Sequence, residues 1–170
     1  MRTRTSNPTE HNVLYQINID SAKNVFLGFQ QSETPYWQGV GSDLLAPAPW
    51  AASLLPSDPD FSWCAADDAQ CRMALNQRIA HSEGVSAYGA GFWTFFNGYA
   101  RNGCSSECQE NAVLYEDNVG LHSFGISTHN VRTMILEGRN GSYKALTDDT
   151  ANSGGWQSGG GVVAAYLPSL

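Results

Sequence analysis

The chain has 170 residues, of which 42% are hydrophobic and only 15% charged, with 17 glycines and five tryptophans; this argues against disorder and for one turn-rich domain with a core of its own. A net charge of −7 and a pI near 4.8 argue against a nucleic-acid partner, because phosphate contacts need clustered Lys and Arg. The sequence holds no apolar stretch long enough to span a membrane, and behind the basic start Met1-Arg2-Thr3-Arg4 there is no apolar run of a secretory signal.

Short β-prone runs, each closing on a turn residue, recur along the chain: residues 12–19, 24–29, 84–89, 92–96, 111–115, 120–125 and 131–136. A loop rich in Pro and Ala over 44–59 lies inside a loop-rich insertion at about 39–82, which also holds the one candidate helix, Asp67 to His81. A Gly-rich stretch at about 152–161 reads as a flexible loop before a last strand, Val162 to Tyr166. The phrases Lys23-Asn24-Val25, Glu83-Gly84-Val85 and His129-Asn130-Val131 open successive runs alike, as the corners of stacked solenoid rungs would. A β-sandwich is the competing architecture.

Four cysteines fall into two local pairs, Cys64 with Cys71 and Cys104 with Cys108. Neither pair has the close spacing of a zinc knuckle, so two disulfide-closed loops are expected, and with them an oxidising, extracellular compartment. The sequon Asn140-Gly141-Ser142 points the same way. These cysteine habits with no signal and an abrupt polar start suggest the C-terminal piece of a longer secreted protein.

The segment Gln30 to Gln38 gathers Glu33 with the amides of Gln30, Gln31 and Gln38, the rings of Tyr36 and Trp37, and Pro35. Glycoside hydrolysis asks for such a set: a partly buried carboxylic acid, ring faces for a pyranose and amides for its hydroxyls. Gln31, Tyr36 and Trp37 are the expected sugar contacts. Glu10 lies 23 residues before Glu33, about one solenoid coil. An offset of a residue or two between adjacent rungs would separate the carboxylates by the ~6.5–9.5 Å that an inverting glycosidase needs. His11, His81, His122 and His129 are scattered and form no metal-ligand spacing, so neither a metal nor a cofactor is expected. The cluster Tyr88, Phe92, Trp93, Phe95 and Phe96 reads as core, whereas Trp37, Trp50 and Trp63 lie in loops.

The order Glu10-His11-Asn12-Val13-Leu14-Tyr15-Gln16, Gln31-Ser32-Glu33-Thr34-Pro35-Tyr36-Trp37-Gln38, Asp58-Pro59-Asp60-Phe61-Ser62-Trp63-Cys64 and Gly91-Phe92-Trp93-Thr94-Phe95-Phe96-Asn97 resembles the C-terminal part of fungal glycoside hydrolase family 55, the exo-β-1,3-glucanases. The resemblance implies a right-handed parallel β-helix, here the C-terminal one of a tandem pair, with residues 1–170 as a partial domain. It implies inverting release of glucose from the non-reducing end of β-1,3-glucan, Glu33 as general acid with Tyr36 beside it, and Glu10 near the catalytic water. It also implies that a missing N-terminal β-helix completes the cleft. The alternative is a non-catalytic glucan-binding or structural module presenting Trp37, Trp50 and Trp63.

Overall fold

The computed structural model describes residues 2–5, 9–39, 45–47, 51–94, 97, 107–147 and 160–168. In chain order these form strands β1 (Arg2–Thr5), β2 (Thr9–Glu10), β3 (Tyr15–Asp20), β4 (Lys23–Glu33), β5 (Leu75–Ala80), β6 (Glu83–Trp93), β7 (Gln109–Glu116), β8 (His122–His129), β9 (Val131–Glu137), β10 (Tyr143–Leu146) and β11 (Gly160–Tyr166). Among the described residues 3-10 conformation is confined to the turn Ala51–Ser53 and to Thr147, and there is no α-helix. The all-β expectation is met.

From β2 to β9 successive strands alternate between two mixed sheets. One runs β1-β4-β6-β8-β11 with β2 added beside β4, and the other β10-β9-β7-β5-β3. Strands β4, β6 and β8 pair in parallel, as do β3, β5, β7 and β9, while β10 and β11 close their sheets antiparallel. Each strand from β5 to β9 thus lies beside the strand two before it in the chain. Leu27, Val85, Phe92 and Ile126 of the first sheet share a core with Ile79, Val113, Met134 and Ile135 of the second.

The passages turn through stacked residues of left-handed backbone. Asn24, Gly84 and Gly120 take φ of 55°, 65° and 63°, and a Cβ at Gly120 would stand 3.7 Å from the Gly84 nitrogen. Glycine or asparagine suits this column because other side chains pay a steric penalty there. The third member of the repeat is therefore Gly120, one strand beyond Gly84, and not Asn130. Asn130 also has a positive φ of 62°, but it turns the chain from β8 of the first sheet to β9 of the second, the opposite passage to the one that Asn24, Gly84 and Gly120 make.

The helix expected over Asp67 to His81 does not form. Residues 67–73 make turns, held by the Asp68 side chain accepting from the Cys71 amide and by the Cys64–Cys71 disulfide, and Leu75–Ala80 is strand β5. Ladders to β3 on one side and β7 on the other outweigh whatever helical preference the segment has. Cys108 is also disulfide-bonded; its expected partner Cys104 lies outside the described residues, as does the Gly-rich loop up to Gly160. Among the described residues no helix is long and apolar enough to cross a membrane.

Candidate functional site

Strand β4 ends at Glu33, where buried Thr34 and Pro35 lead the chain into a turn. Proline has no amide hydrogen to continue a ladder. The two-residue strand β2 lies parallel to this end of β4, with Thr9 opposite Ser32 and Glu10 opposite Glu33. Neighbouring strands are about 4.8 Å apart, so the two carboxylates stand side by side on one sheet face. They are in register, without the offset expected from the sequence. Their nearest ligand oxygens lie within 4.8 Å of each other, closer than the about 6.5–9.5 Å between paired groups that an inverting glycosidase uses.

His11 completes the cluster, which sequence reasoning did not foresee. It leaves β2 in left-handed backbone, φ 64°, and its amide donates to the Glu33 carbonyl at 2.9 Å. Its ring then folds back over the carboxylates. Nδ1 lies 3.2 Å from the Thr34 carbonyl oxygen, and Nε2 lies 3.8 Å from Glu10 Oε2 and 3.9 Å from Glu33 Oε2. A carbonyl only accepts, so Nδ1 is the donor and Nε2 faces both carboxylates. The same three residues are the group among the described residues whose His and carboxylate donors could hold a metal ion, all within 4.8 Å of one another. Zinc bonds of ~2.0–2.1 Å would require the histidine and carboxylates to draw in from their present separations.

Tyr36 closes the other side. Its ring centroid is 4.0 Å from that of His11, tilted by 40°, and its hydroxyl donates to Glu33 Oε2 at a long 3.4 Å. The side chains of Glu10, His11 and Glu33 are 40%, 24% and 25% exposed, which keeps all of them within reach of a solute. Gln31 shares their face, two residues before Glu33, and is half-buried like Trp37. Trp63 is set apart from them. Phe61 stacks on it at 4.9 Å and the Arg139 guanidinium lies 5.5 Å from its ring centroid, so little of its face is left for a sugar. Trp50 lies outside the described residues.

Trp93 departs from its core reading. It occupies the position next to Glu33 on β6 and is half-buried, whereas Phe92 beside it points inward and is 1% exposed. Strand alternation was the signal that could have found it.

No protein-family model matches the chain. It is 35% identical over 156 residues to glucan endo-1,3-beta-glucosidase BGN13.1 of Trichoderma harzianum, covering 90% of this chain and 20% of that protein. It is 36% identical over 136 residues to a protein of Arthroderma benhamiae named "probable glucan endo-1,3-beta-glucosidase", covering 78% of this chain and 15% of that protein. A glucan 1,3-beta-glucosidase of Cochliobolus carbonum is 31% identical over 138 residues, covering 76% of this chain and 16% of that protein. The chain is thus related to fungal proteins named glucan 1,3-β-glucosidases and spans 15–20% of their length.

Proposed function

We propose that this chain carries the general-acid wall of a β-1,3-glucan hydrolase of glycoside hydrolase family 55, built on a right-handed parallel β-helix. The observation that carries the reading is Glu33 at a strand end, clasped by Tyr36 and His11 beside Glu10, in a relative of named glucan 1,3-β-glucosidases. Glu33 donates a proton to the leaving glycosidic oxygen while water attacks the anomeric carbon from the opposite face. Glu10 projects from the same face as Glu33 and so does not oppose it across the sugar; its part is to hold His11 and orient water at the rim. Gln31, Tyr36 and Trp37 contact the glucosyl unit, without metal or cofactor. The N-terminal β-helix implied by the resemblance supplies the opposite wall, and the Cys64–Cys71 disulfide favours a secreted protein.

Action is from the non-reducing end, releasing glucose with inversion. Two of the relatives carry endo names, so product length is the informative measurement. Laminarin hydrolysis followed by product chromatography and proton NMR tests the whole reading. The expected result is glucose released first as the α-anomer, slowly for this chain by itself, and lost in Glu33→Gln. Equal hydrolysis by Glu33→Gln overturns the acid assignment, a mixture of long oligosaccharides overturns exo action, and β-glucose overturns inversion.

A further inference from the structure

The imidazole of His11 is held as a metal ligand is held. Its Nδ1–H donates to the Thr34 carbonyl at 3.2 Å, its amide donates to the Glu33 carbonyl at 2.9 Å, and its ring packs 4.0 Å from that of Tyr36. Histidines that bind metals almost always give their other ring N–H to a carbonyl or a carboxylate, which fixes the tautomer and aims the lone pair. In the neutral ring of His11 that lone pair is on Nε2, which faces Glu10 Oε2 at 3.8 Å and Glu33 Oε2 at 3.9 Å.

The charge around these donors favours a dication. Among the described residues the lysine and arginine ion pairs go to Glu83, Asp20, Glu116, Glu110 and Asp60, and none goes to Glu10 or Glu33. Two carboxylates side by side without a Lys or Arg partner attract positive charge, and their partial exposure leaves a way in from solvent. His81 also has two carboxylates near its ring, but there Nδ1 faces Asp20 at 3.3 Å and Nε2 faces Asp117 at 3.8 Å. Those donors lie on opposite sides of the imidazole, whereas at His11 both carboxylates meet the same nitrogen.

One imidazole nitrogen with two carboxylate oxygens selects among cations. Magnesium and calcium prefer shells of oxygen alone, while imidazole suits zinc, nickel and copper. A tetrahedral zinc holds its ligands roughly 3.3–3.5 Å apart, so the gaps from Nε2 to the two oxygens must close by roughly half an ångström. Glu10, the most exposed of the three side chains, has the freedom to swing in.

We infer that Glu10, His11 and Glu33 form a binding site for a transition-metal dication of the zinc class, with Nε2 and one oxygen of each carboxylate as ligands and water completing the shell. Hydrolysis as proposed above takes place without the ion. A metal-bound Glu33 carries no proton, so on that reading the occupied site is the arrested form of the hydrolase; the site itself does not depend on the reading.

Calorimetric titration of the chain with zinc chloride and with magnesium chloride tests this. Zinc is expected to bind one to one, about 100-fold tighter than magnesium, and to raise the melting temperature. His11→Asn, which suits the left-handed turn, and Glu10→Gln are each expected to weaken zinc about tenfold or more while the metal-free melting temperature stays unchanged, which separates loss of the ligand from loss of the fold. His81→Asn is expected to leave zinc affinity within about twofold. Zinc affinity that is unchanged in His11→Asn, or that falls as far in His81→Asn, or that is no tighter than that of magnesium, overturns the site. Laminarin hydrolysis that continues undiminished at saturating zinc leaves the site standing and overturns Glu33 as the acid.

Discussion

Glu10 and Glu33, 23 residues apart along the chain, stand directly opposite each other on parallel strands, and the His11 ring bridges over both carboxylates. If Glu33 is the acid, Glu33→Gln removes the proton donor and lowers laminarin hydrolysis by about 10²–10⁴-fold. Glu10→Gln keeps the shape and costs less. Reducing-sugar assays on both variants decide it, and a larger loss from Glu10→Gln reverses the roles.

His11 is the second test. Because its backbone is left-handed, alanine there is strained, whereas asparagine tolerates that conformation. His11→Asn is expected to keep the melting temperature while lowering the laminarin rate about tenfold or more, and to change the shape of the pH–rate profile, because Nε2 no longer faces the carboxylates. An unchanged rate and profile would make His11 a turn residue alone.

Acid sensitivity follows from Asp20 and Asp60. Burial pushes the Asp20 carboxyl up, but hydrogen bonds from Ser21, Arg78 and His81 and the charge of Arg78 outweigh it and hold the group below its ordinary value. Burial likewise raises Asp60, while hydrogen bonds from Ser62 and the charge of Arg139 bring it lower. A carboxyl depressed by folding contributes stability that is fully present above its unfolded value, about 3.9, and is lost as the pH falls towards the folded one. Thermal melts should therefore fall steeply below about pH 4. Asp20→Asn should melt lower at pH 6 and show a shallower fall; an identical profile would remove Asp20 from the acid response.

The sequence made some of this legible and hid the rest for physical reasons. Asn24 and Gly84 announced their corner because only a few residue types accept left-handed backbone. Strand β5 was concealed because it is buried along its whole length, so Leu75 to Ala80 show no polar alternation with solvent. Its polar residues are answered from far away, Asn76 by Ser32 and Arg78 by Glu116. The pairing of Glu10 with Glu33 depends on a two-residue strand whose partner lies 23 residues on, and local pattern cannot fix such a register. Trp93 was masked by its aromatic neighbours, which suggested one apolar cluster where the strand sends Phe92 and Trp93 to opposite faces.

Arg78 supplies the last prediction. Its side chain is 2% exposed; Nε donates to Glu116 Oε2 at 2.7 Å, and Nη1 to Asn18, Asp20 and the Ser57 carbonyl at 3.1, 3.0 and 2.9 Å. Arg139 grips the other oxygen of Glu116 at 2.6 Å and reaches Asp60 at 2.9 Å. One chain of charges thus ties β3, β5 and β7 to the inserted loop. Arg78→Ala leaves Glu116 buried with only half its partners and should cost about 3–5 kcal/mol, a fall of roughly 10 °C in melting temperature for a domain this size. Lysine retains the charge but not the planar fork that meets these acceptors, so Arg78→Lys should fall between wild type and alanine. Replacing Arg78 and Glu116 together by methionine orphans less charge and should cost less than Arg78→Ala alone. Urea and thermal melts of the three variants order them, and a double variant less stable than Arg78→Ala would mean that the network stabilises by its bonds rather than by the burial it makes tolerable.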